Sequence, residues 1–233
     1  MNQLKKVVAV ICAAASITAA SGSVMAANWS RDNGKIDVNI NGKYLDFDVN
    51  PIMHNDRVML PMRKIFESIG ASVDWDENTK TITALKDGKT IKLTISRGEM
   101  FVNGESVALD APAMMVGDRT LVPVRAVSEA LDASVAWFGH GQDIVTISTY
   151  DFTCADAIQA VRNLYKSYTW HDFTDAEIDA LNLEIYDIRY VDYLKKTVYN
   201  VVHNWGLRDE EGNELGGAHY INVKTGESVG GAG

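Results

Sequence analysis

Apolar residues recur at helical spacing twice in the first two thirds of the chain. The two stripes are Met62, Ile65, Phe66 and Ile69, and then Val124, Val127 and Leu131. Spacings of three and four residues place side chains on one face of a helix. Pro61 and Pro123 stand at the head of these stripes, and we predict them in the first helical turn, where a missing N–H has no intrahelical partner anyway. The pattern predicts two short amphipathic helices.

Around these helices the pattern changes to an alternation of apolar and polar residues, which is typical of strands. Asn-Gly and Asp-Gly pairs interrupt the alternation, and both favour two-residue hairpin turns that need positive φ. The predicted hairpins are Ile36–Asp48, Met100–Asp110 and Thr81–Ile95, and further strands are predicted at Ser72–Trp75 and Ile144–Ser148. Residues 36–150 are therefore expected to form an α+β unit in which two short helices cover antiparallel strands.

The same stretch occurs twice. Residues 41–83 align with residues 103–145 at a constant offset of 62, and 14 of the 43 positions are identical. The identical pairs include Arg57/Arg119, Pro61/Pro123, Arg63/Arg125, Glu67/Glu129 and Trp75/Trp137. A fixed period of this length indicates a duplicated supersecondary unit. Because two copies are too few for a solenoid, we expect a pair of units that share one core.

The repeated motif, Asn-Gly followed by Arg-x-x-x-Pro-x-Arg-x-x-x-Glu and Ala-Ser-Val-x-Trp in tandem, resembles a known family. It is similar to the copper amine oxidase N-terminal-like domain, or stalk domain, of secreted proteins from Gram-positive bacteria, over roughly residues 35–150. Asp132 departs from the motif where the first copy has Gly70, and Phe138-Gly-His140 departs where the first copy has Asp76-Glu-Asn78. Both departures predict local differences at the end of the second helix and in the turn that follows.

The resemblance implies a binding or spacer module, because the stalk is a non-catalytic appendage in that family. A copper amine oxidase catalytic domain needs a His-x-His pair, a third histidine and a tyrosine converted to a quinone. The histidines of this chain are His54, His140, His171, His203 and His219, and no two of them stand two residues apart. Neither copper nor another cofactor is therefore expected.

The repeated side chains have two interpretations. The arginines Arg57, Arg119, Arg63 and Arg125 are expected to support the architecture, for instance by bonding loop or helix-end carbonyls, and the alternative is an anion or polysaccharide site. Arg63–Glu67 and Arg125–Glu129 are four apart, a spacing that contributes only a few tenths of a kcal/mol at an exposed helix face. Trp75 and Trp137 are predicted to be buried on core strands, and stacking on sugar rings is the alternative.

The first 26 residues have the pattern of a secretory signal. Lys5 and Lys6 precede the apolar run Val7–Ala15, and Val24-Met-Ala26 provides small residues for cleavage. The run is too short to span a membrane. We therefore expect a secreted protein, extracellular or associated with the cell wall and without a firm membrane anchor, in which residues 27–35 form a flexible lead.

Charge and cysteine content narrow the classes of partner. Without residues 1–26 the chain has 20 basic and 31 acidic residues, a net charge of −11. Such an acidic chain argues against binding nucleic acid or anionic lipid. Cys154 is the single cysteine left, so an intramolecular disulfide is excluded. A small buried residue is the favoured interpretation, with pairing between chains or a nucleophile as alternatives.

Residues 151–229 are predicted to form a second, small α+β domain. Thr153 with Asp156 resembles a capping box that starts a helix, and Thr174 starts a shorter one. Residues 183–207 fit strands better than a helix, because aromatic and β-branched residues dominate. A helix followed by strands that end in a Thr-Gly-Glu turn resembles PepSY-type exported domains. The glycine-rich residues 230–233 are expected to form a disordered tail.

Candidate chemistry is sparse. Asp74–Asn78 fails the spacing of a calcium loop, and His203 and His219, sixteen apart, give no zinc signature. A possible aromatic sugar platform in the last domain comprises Trp170, His171, Tyr190 and Trp205, with packing as the simpler interpretation. We therefore expect a non-enzymatic binding or spacer protein whose partner is a cell-wall polymer or an exported protein. The alternatives are a PepSY-like regulator of an exported protease and a small C-terminal enzyme.

Overall fold

A computed structural model describes residues 35–140, 142–169, 172–204 and 216–232. The predicted signal segment 1–26 and all of the predicted lead except Lys35 lie outside these ranges. Within the described part, the strands are β1 Ile36–Ile40, β2 Lys43–Leu45, β3 Ile52–His54, β4 Arg57–Pro61, β5 Ser72–Asp76, β6 Thr81–Lys86, β7 Lys89–Thr94, β8 Glu99–Val102, β9 Glu105–Ala108, β10 Met114–Val116, β11 Arg119–Pro123, β12 Ser134–Gly139, β13 Asp143–Ser148, β14 Glu184–Val191, β15 Lys196–His203, β16 Gly217–Asn222 and β17 Ser228–Ala232. The helices are α1 Met62–Ser68, α2 Val124–Ala130, α3 Cys154–Lys166 and α4 Asp175–Asp179.

The elements of residues 36–148 recur at the offset seen in the sequence. Strand β4, helix α1 and strand β6 have counterparts 62 residues later in β11, α2 and β13. Mostly antiparallel sheets with few helices confirm the α+β class. Strands β3, β4, β10 and β11 were not predicted, because they are only three to five residues long and show little alternation.

Those four strands form one sheet that joins the two units. Its order is β10-β11-β4-β3, and β4 pairs antiparallel with β11. Leu60 lies opposite Val122, its own counterpart at an offset of 62, and both side chains are buried. The pairing is therefore symmetric about that residue pair, and the two helices begin directly beyond it on either side.

The prolines lie one residue earlier than predicted. Pro61 ends β4 and is the N-cap residue of α1, and Pro123 has the same place before α2. A proline fits this junction because its φ, −59° and −65° in the two cases, is compatible with an extended residue that leads into a helix. The predicted first-turn position is corrected accordingly.

The two helix ends are alike, contrary to the difference predicted from Asp132. Gly70 has φ +87° and Asp132 has φ +58°, so both adopt the left-handed conformation. In each case the following residue, Ala71 or Ala133, donates its N–H to a carbonyl five positions earlier, at 2.8 and 2.9 Å. A short polar side chain such as aspartate tolerates this conformation, so the glycine is not required here.

The remaining strands of the two units form two more sheets. One sheet has the order β5-β6-β7-β8-β9, and the other has the order β12-β13-β1-β2. All three predicted hairpins are present. Strand β1 pairs parallel with β13, so the first hairpin completes the sheet of the second unit. This pairing connects residues more than 100 positions apart, and no local pattern predicts it.

Both units contribute to a single buried cluster. It contains Leu60, Ile65 and Phe66 from the first unit together with Val122 and Val127 from the second. Trp75 and Trp137 pack against this cluster but remain partly exposed. The prediction that both tryptophans are buried is therefore only partly correct, because both side chains pack against the core and yet remain partly exposed.

The C-terminal residues place α3 over a four-stranded antiparallel sheet of order β14-β15-β16-β17. Thr153 and Asp156 form the predicted capping box, and Thr174 caps α4 in the same way. The preference for strands over a helix is confirmed for residues 184–203. The prediction of a disordered tail is wrong for residues 230–232, because β17 pairs with β16 as an edge strand.

The C-terminal sheet is docked on the first hairpin by a polar network. The buried Asn39 donates from Nδ2 to the carbonyl of Ile188 at 3.1 Å and accepts from the Gly42 N–H at 3.1 Å. Tyr44 donates to the buried carboxylate of Asp187 at 3.0 Å. Arg189 holds the same carboxylate through two N–H groups at 2.8 and 2.9 Å. A buried carboxylate with these partners is stable where an unpaired one is not.

Among the helices of the described ranges, none combines the length and the apolar character needed to cross a lipid bilayer.

Replacing Asn39 by alanine tests this docking contact. We expect Asn39→Ala to lower the free energy of unfolding by about 1–3 kcal/mol, because the buried carbonyl of Ile188 loses its donor. Asn163→Ala on the exposed face of α3 is the control and should change it by less than about 0.5 kcal/mol. Urea unfolding of both variants gives the comparison, and equal small effects would show that the contact is not stabilising.

Candidate functional site

An open groove of about 860 Å³ lies beside the first unit. Its floor includes Met62, Trp75 and Ile95, and Met115 contributes from the neighbouring β10. Its rim is charged with both signs, with Arg63, Lys64, Glu67, Glu77, Lys80 and Arg119 among the lining residues. A concave surface with an aromatic floor and a few oriented polar groups is the usual form of a binding site.

Trp75 is held in a fixed orientation at the floor of the groove. Its indole Nε1 donates to the Glu77 carboxylate at 2.6 Å, and Lys80 forms an ion pair with the other oxygen of Glu77. The Lys80 ammonium and then the indole N–H lower the pKa of Glu77. Trp75 is only partly buried, so part of its side chain is exposed where it lines the groove.

The repeated arginines of β4 and β11 form reciprocal ion pairs between the units. Arg57 binds Asp110, and Arg119 binds Asp48 through Nε at 2.8 Å, so each arginine bonds the aspartate that follows the other unit's hairpin. Hydrogen bonding by Arg119 lowers the pKa of Asp48. Nη1 of each arginine also donates to the preceding backbone carbonyl. All four side chains are partly exposed, so each pair contributes modestly.

The repeated arginine and glutamate side chains on α1 and α2 point toward solvent. Arg63, Glu67, Arg125 and Glu129 are all exposed, and neither i,i+4 pair is an ion pair in the described part of the chain. The groove brings together Pro61, Arg63, Glu67, Trp75 and Arg119. Their counterparts Arg57, Pro123, Arg125, Glu129 and Trp137 do not line it.

The second unit is covered at the equivalent place by the C-terminal domain. Gln142, the counterpart of Lys80, accepts a hydrogen bond from the Tyr186 hydroxyl, and His140 lies 2.9 Å from the Glu184 carboxylate. Ala126 and Gly139 stand where the first unit has Lys64 and Glu77. The charged positions of Lys64 and Glu77 therefore have no charged counterpart in the second unit.

The candidate aromatic platform is only partly described. Trp170, His171 and Trp205 lie outside the described residues. Tyr190, on the edge strand β14, is 55% exposed, so it is available at the surface.

Cys154 has the environment expected of a packed side chain. It is buried at the start of α3, and its backbone N–H donates to the Ser134 hydroxyl at 3.2 Å. Burial raises the pKa of the thiol. A nucleophilic cysteine needs the opposite shift, because the thiolate is the reactive form.

A cluster that the sequence analysis missed joins α3 to the C-terminal sheet. The Tyr165 hydroxyl lies 3.4 Å from Nε2 of His203 and 3.3 Å from Nε2 of His219. The two imidazole rings are 5.5 Å apart. Burial and then His219 lower the pKa of His203 to about 4, and burial also lowers the pKa of His219. Both rings are therefore neutral near pH 7.

The pairing of β15 with β16 explains why two histidines that are sixteen residues apart in the sequence lie close together in the structure. His203 lies opposite Gly217, and His219 lies opposite Val201, so the histidines are diagonal neighbours on one face of the sheet. Gly217 leaves space for the imidazole, since a Cβ there would lie 2.6 Å from Nε2 of His203. The two histidines lie on the same face of adjacent strands. The sequence reveals this proximity only when the register of the two strands is known.

No group of three or more histidine, cysteine, aspartate or glutamate side chains in the described ranges is arranged to hold a metal ion.

Comparison with known proteins identifies the first part of the chain. Residues 39–146 match the family model described as copper amine oxidase N-terminal domain. The primary amine oxidase of Klebsiella aerogenes is 35% identical over 57 residues, which are 24% of this chain and 8% of that enzyme. The chain thus matches a small fraction of that relative's length.

The two histidines predict a loss of stability in acid. Because the pKa of His203 falls from 6.5 to about 4 on folding, the unfolded state binds the proton first as the pH drops. The free energy of unfolding should therefore decrease between about pH 6.5 and pH 4, by at most about 3 kcal/mol for this residue.

Urea unfolding at several pH values measures this slope. His203→Gln should flatten it, whereas His54→Gln, outside the cluster, should leave it unchanged. An identical slope in the wild type and His203→Gln would contradict the assignment.

Proposed function

We propose that this chain is a non-enzymatic exported protein whose copper amine oxidase N-terminal domain binds a cell-wall polymer through the groove beside Trp75. We attribute the 62-residue correspondence of its elements to duplication of one unit. The signal-like pattern of residues 1–26 supports export, and it favours a secreted or wall-associated location. The C-terminal domain is the second interaction module of this proposal.

This proposal rests on one observation. The indole of Trp75, oriented by its hydrogen bond to Glu77, lies in an open groove that is lined by positively and negatively charged side chains. Aromatic rings provide a large flat contact area with little loss of conformational freedom, which suits the faces of sugar rings. Arg63, Lys64 and Glu67, all on α1, can bond hydroxyl, carboxylate or phosphate groups of a polymer. A mixed rim of this kind fits a polar glycan better than an apolar ligand.

The two units differ at the surface that the proposal concerns, so the second unit provides a comparison for the first. Arg125 and Trp137 hold the equivalent positions of the second unit, but the C-terminal strand β14 contacts the turn that would complete a second groove. Ligand binding should therefore depend on the groove at Trp75 and not on the equivalent surface at Trp137.

Retention of the purified protein on insoluble cell wall, and on purified wall polysaccharides, tests the proposal. Trp75→Ala should weaken retention about tenfold or more, as expected for a central aromatic contact. Arg63→Glu, at an exposed position where the fold is not at risk, should weaken it about fivefold, which is about 1 kcal/mol.

Trp137→Ala and Arg125→Glu are the matched controls, and both should bind as the wild type does. Equal losses in both units would place the ligand elsewhere. Failure of the wild type to bind either material would contradict wall binding and favour the alternative, in which the C-terminal domain regulates an exported protease.

A further inference from the structure

The cluster of Tyr165, His203 and His219 brings together three atoms that can bind a metal ion. Nε2 of each imidazole lies within 3.4 Å of the Tyr165 hydroxyl oxygen, and the two imidazole planes are 30° apart. The three residues come from α3, β15 and β16, so three separate elements fix their relative positions. Convergence of this kind from separate elements is the way protein metal sites are built.

The distances in the cluster are long for hydrogen bonds. Donor–acceptor separations of 3.3 and 3.4 Å exceed the usual range of about 2.7–3.2 Å. The Tyr165 hydroxyl can donate to only one of the two nitrogens, and it accepts from the other only where that imidazole carries its proton on Nε2. Separations of this length make both hydrogen bonds weak.

The same distances match the spacing between ligands of a metal ion. With metal–nitrogen bonds of about 2.0–2.1 Å, neighbouring ligands of a tetrahedral zinc site are about 3.3–3.4 Å apart. Two of the three ligand–ligand separations that such a site needs, from the Tyr165 oxygen to each Nε2, are therefore already present. The remaining tetrahedral position would be open to water.

The protonation state of the cluster suits a cation. Both imidazoles are neutral near pH 7 because burial disfavours their charged form, so a metal need not displace protons from them. Burial, followed by Tyr168, raises the pKa of Tyr165 to about 12, and coordination would release the hydroxyl proton to solvent. The rings are partly exposed, which leaves a path for entry.

We propose that Tyr165, His203 and His219 form a binding site for one divalent transition-metal ion of the Zn²⁺ class. The inference is independent of the proposed wall binding, because it concerns the face of the C-terminal sheet under α3. Gly217 is the positioning residue of this site, since its lack of a side chain leaves the His203 ring in place.

Calorimetric titration of the purified chain with zinc chloride tests the proposal directly. We expect one ion per chain, with affinity reduced at least about tenfold in His203→Gln and in His219→Gln. Tyr165→Phe should also weaken binding, and it retains the ring that packs against Tyr168 and Phe173. Zinc should raise the melting temperature of the wild type but not that of the histidine variants.

Gly217→Ala distinguishes a built site from scattered surface binding. This variant keeps all three ligands and displaces one ring, so zinc binding should weaken while the circular dichroism spectrum is unchanged. Gly98→Ala, where an added Cβ meets no atom within 4 Å, is the control and should bind normally.

Zinc binding by side chains outside this cluster would contradict the proposal. His140, beside Glu184, and the Cys154 thiol lie outside the cluster. Binding abolished by His140→Gln or Cys154→Ser, and unaffected by His203→Gln, would overturn the proposal. Absence of any zinc binding by the folded wild type would overturn it as well.

Discussion

The pairing of β4 with β11 is the constraint on which the rest of this structure depends. It places Leu60 against Val122 at the centre of the two units, where both side chains are buried. Burial of each side chain contributes about 1.5–3 kcal/mol, and a separated unit would expose both. The same pairing fixes the starting points of α1 and α2, and it brings Arg57 and Arg119 within reach of the aspartates of the opposite unit.

Two similar units acquire different roles through their neighbours. The first hairpin leaves its own unit and completes the sheet of the second through the parallel pairing of β1 with β13. Asn39 and Tyr44 of that hairpin then hold the C-terminal domain, which covers the turn after β12. The first unit keeps its equivalent surface open as the groove at Trp75. In this account, domain docking leaves one potential binding surface open and covers its counterpart.

The sequence predicts the local features well and the long-range ones poorly. Helices α1 and α2, the Asn-Gly hairpins and the capping box at Thr153 follow from spacing and side-chain chemistry over a few residues. The β4–β11 sheet and the meeting of His203 with His219 depend on which strands pair and in what register, and that information is not local. Asp132 shows a different limit, since aspartate adopted the backbone conformation for which glycine seemed necessary.

The glycine-rich end of the chain shows how composition can mislead. Residues 230–232 lack large side chains, which favours disorder in isolation, but they add an edge strand to a preformed sheet. A Cβ at Gly231 would lie 2.2 Å from the Ala218 carbonyl oxygen, so the close approach of these strands uses the absence of a side chain. Pairing with β16 thus gives a regular strand to residues that composition alone predicts to be disordered.

Amide hydrogen exchange measured by NMR tests the central claim, that the two units share one core through the β4–β11 pair. The backbone amides of Leu60 and Val122 should exchange among the slowest in the protein and with the same opening free energy, because both are released only when the units separate. Exchange of either amide as fast as that of the exposed edge strand β9, or at clearly different opening free energies, would contradict the account.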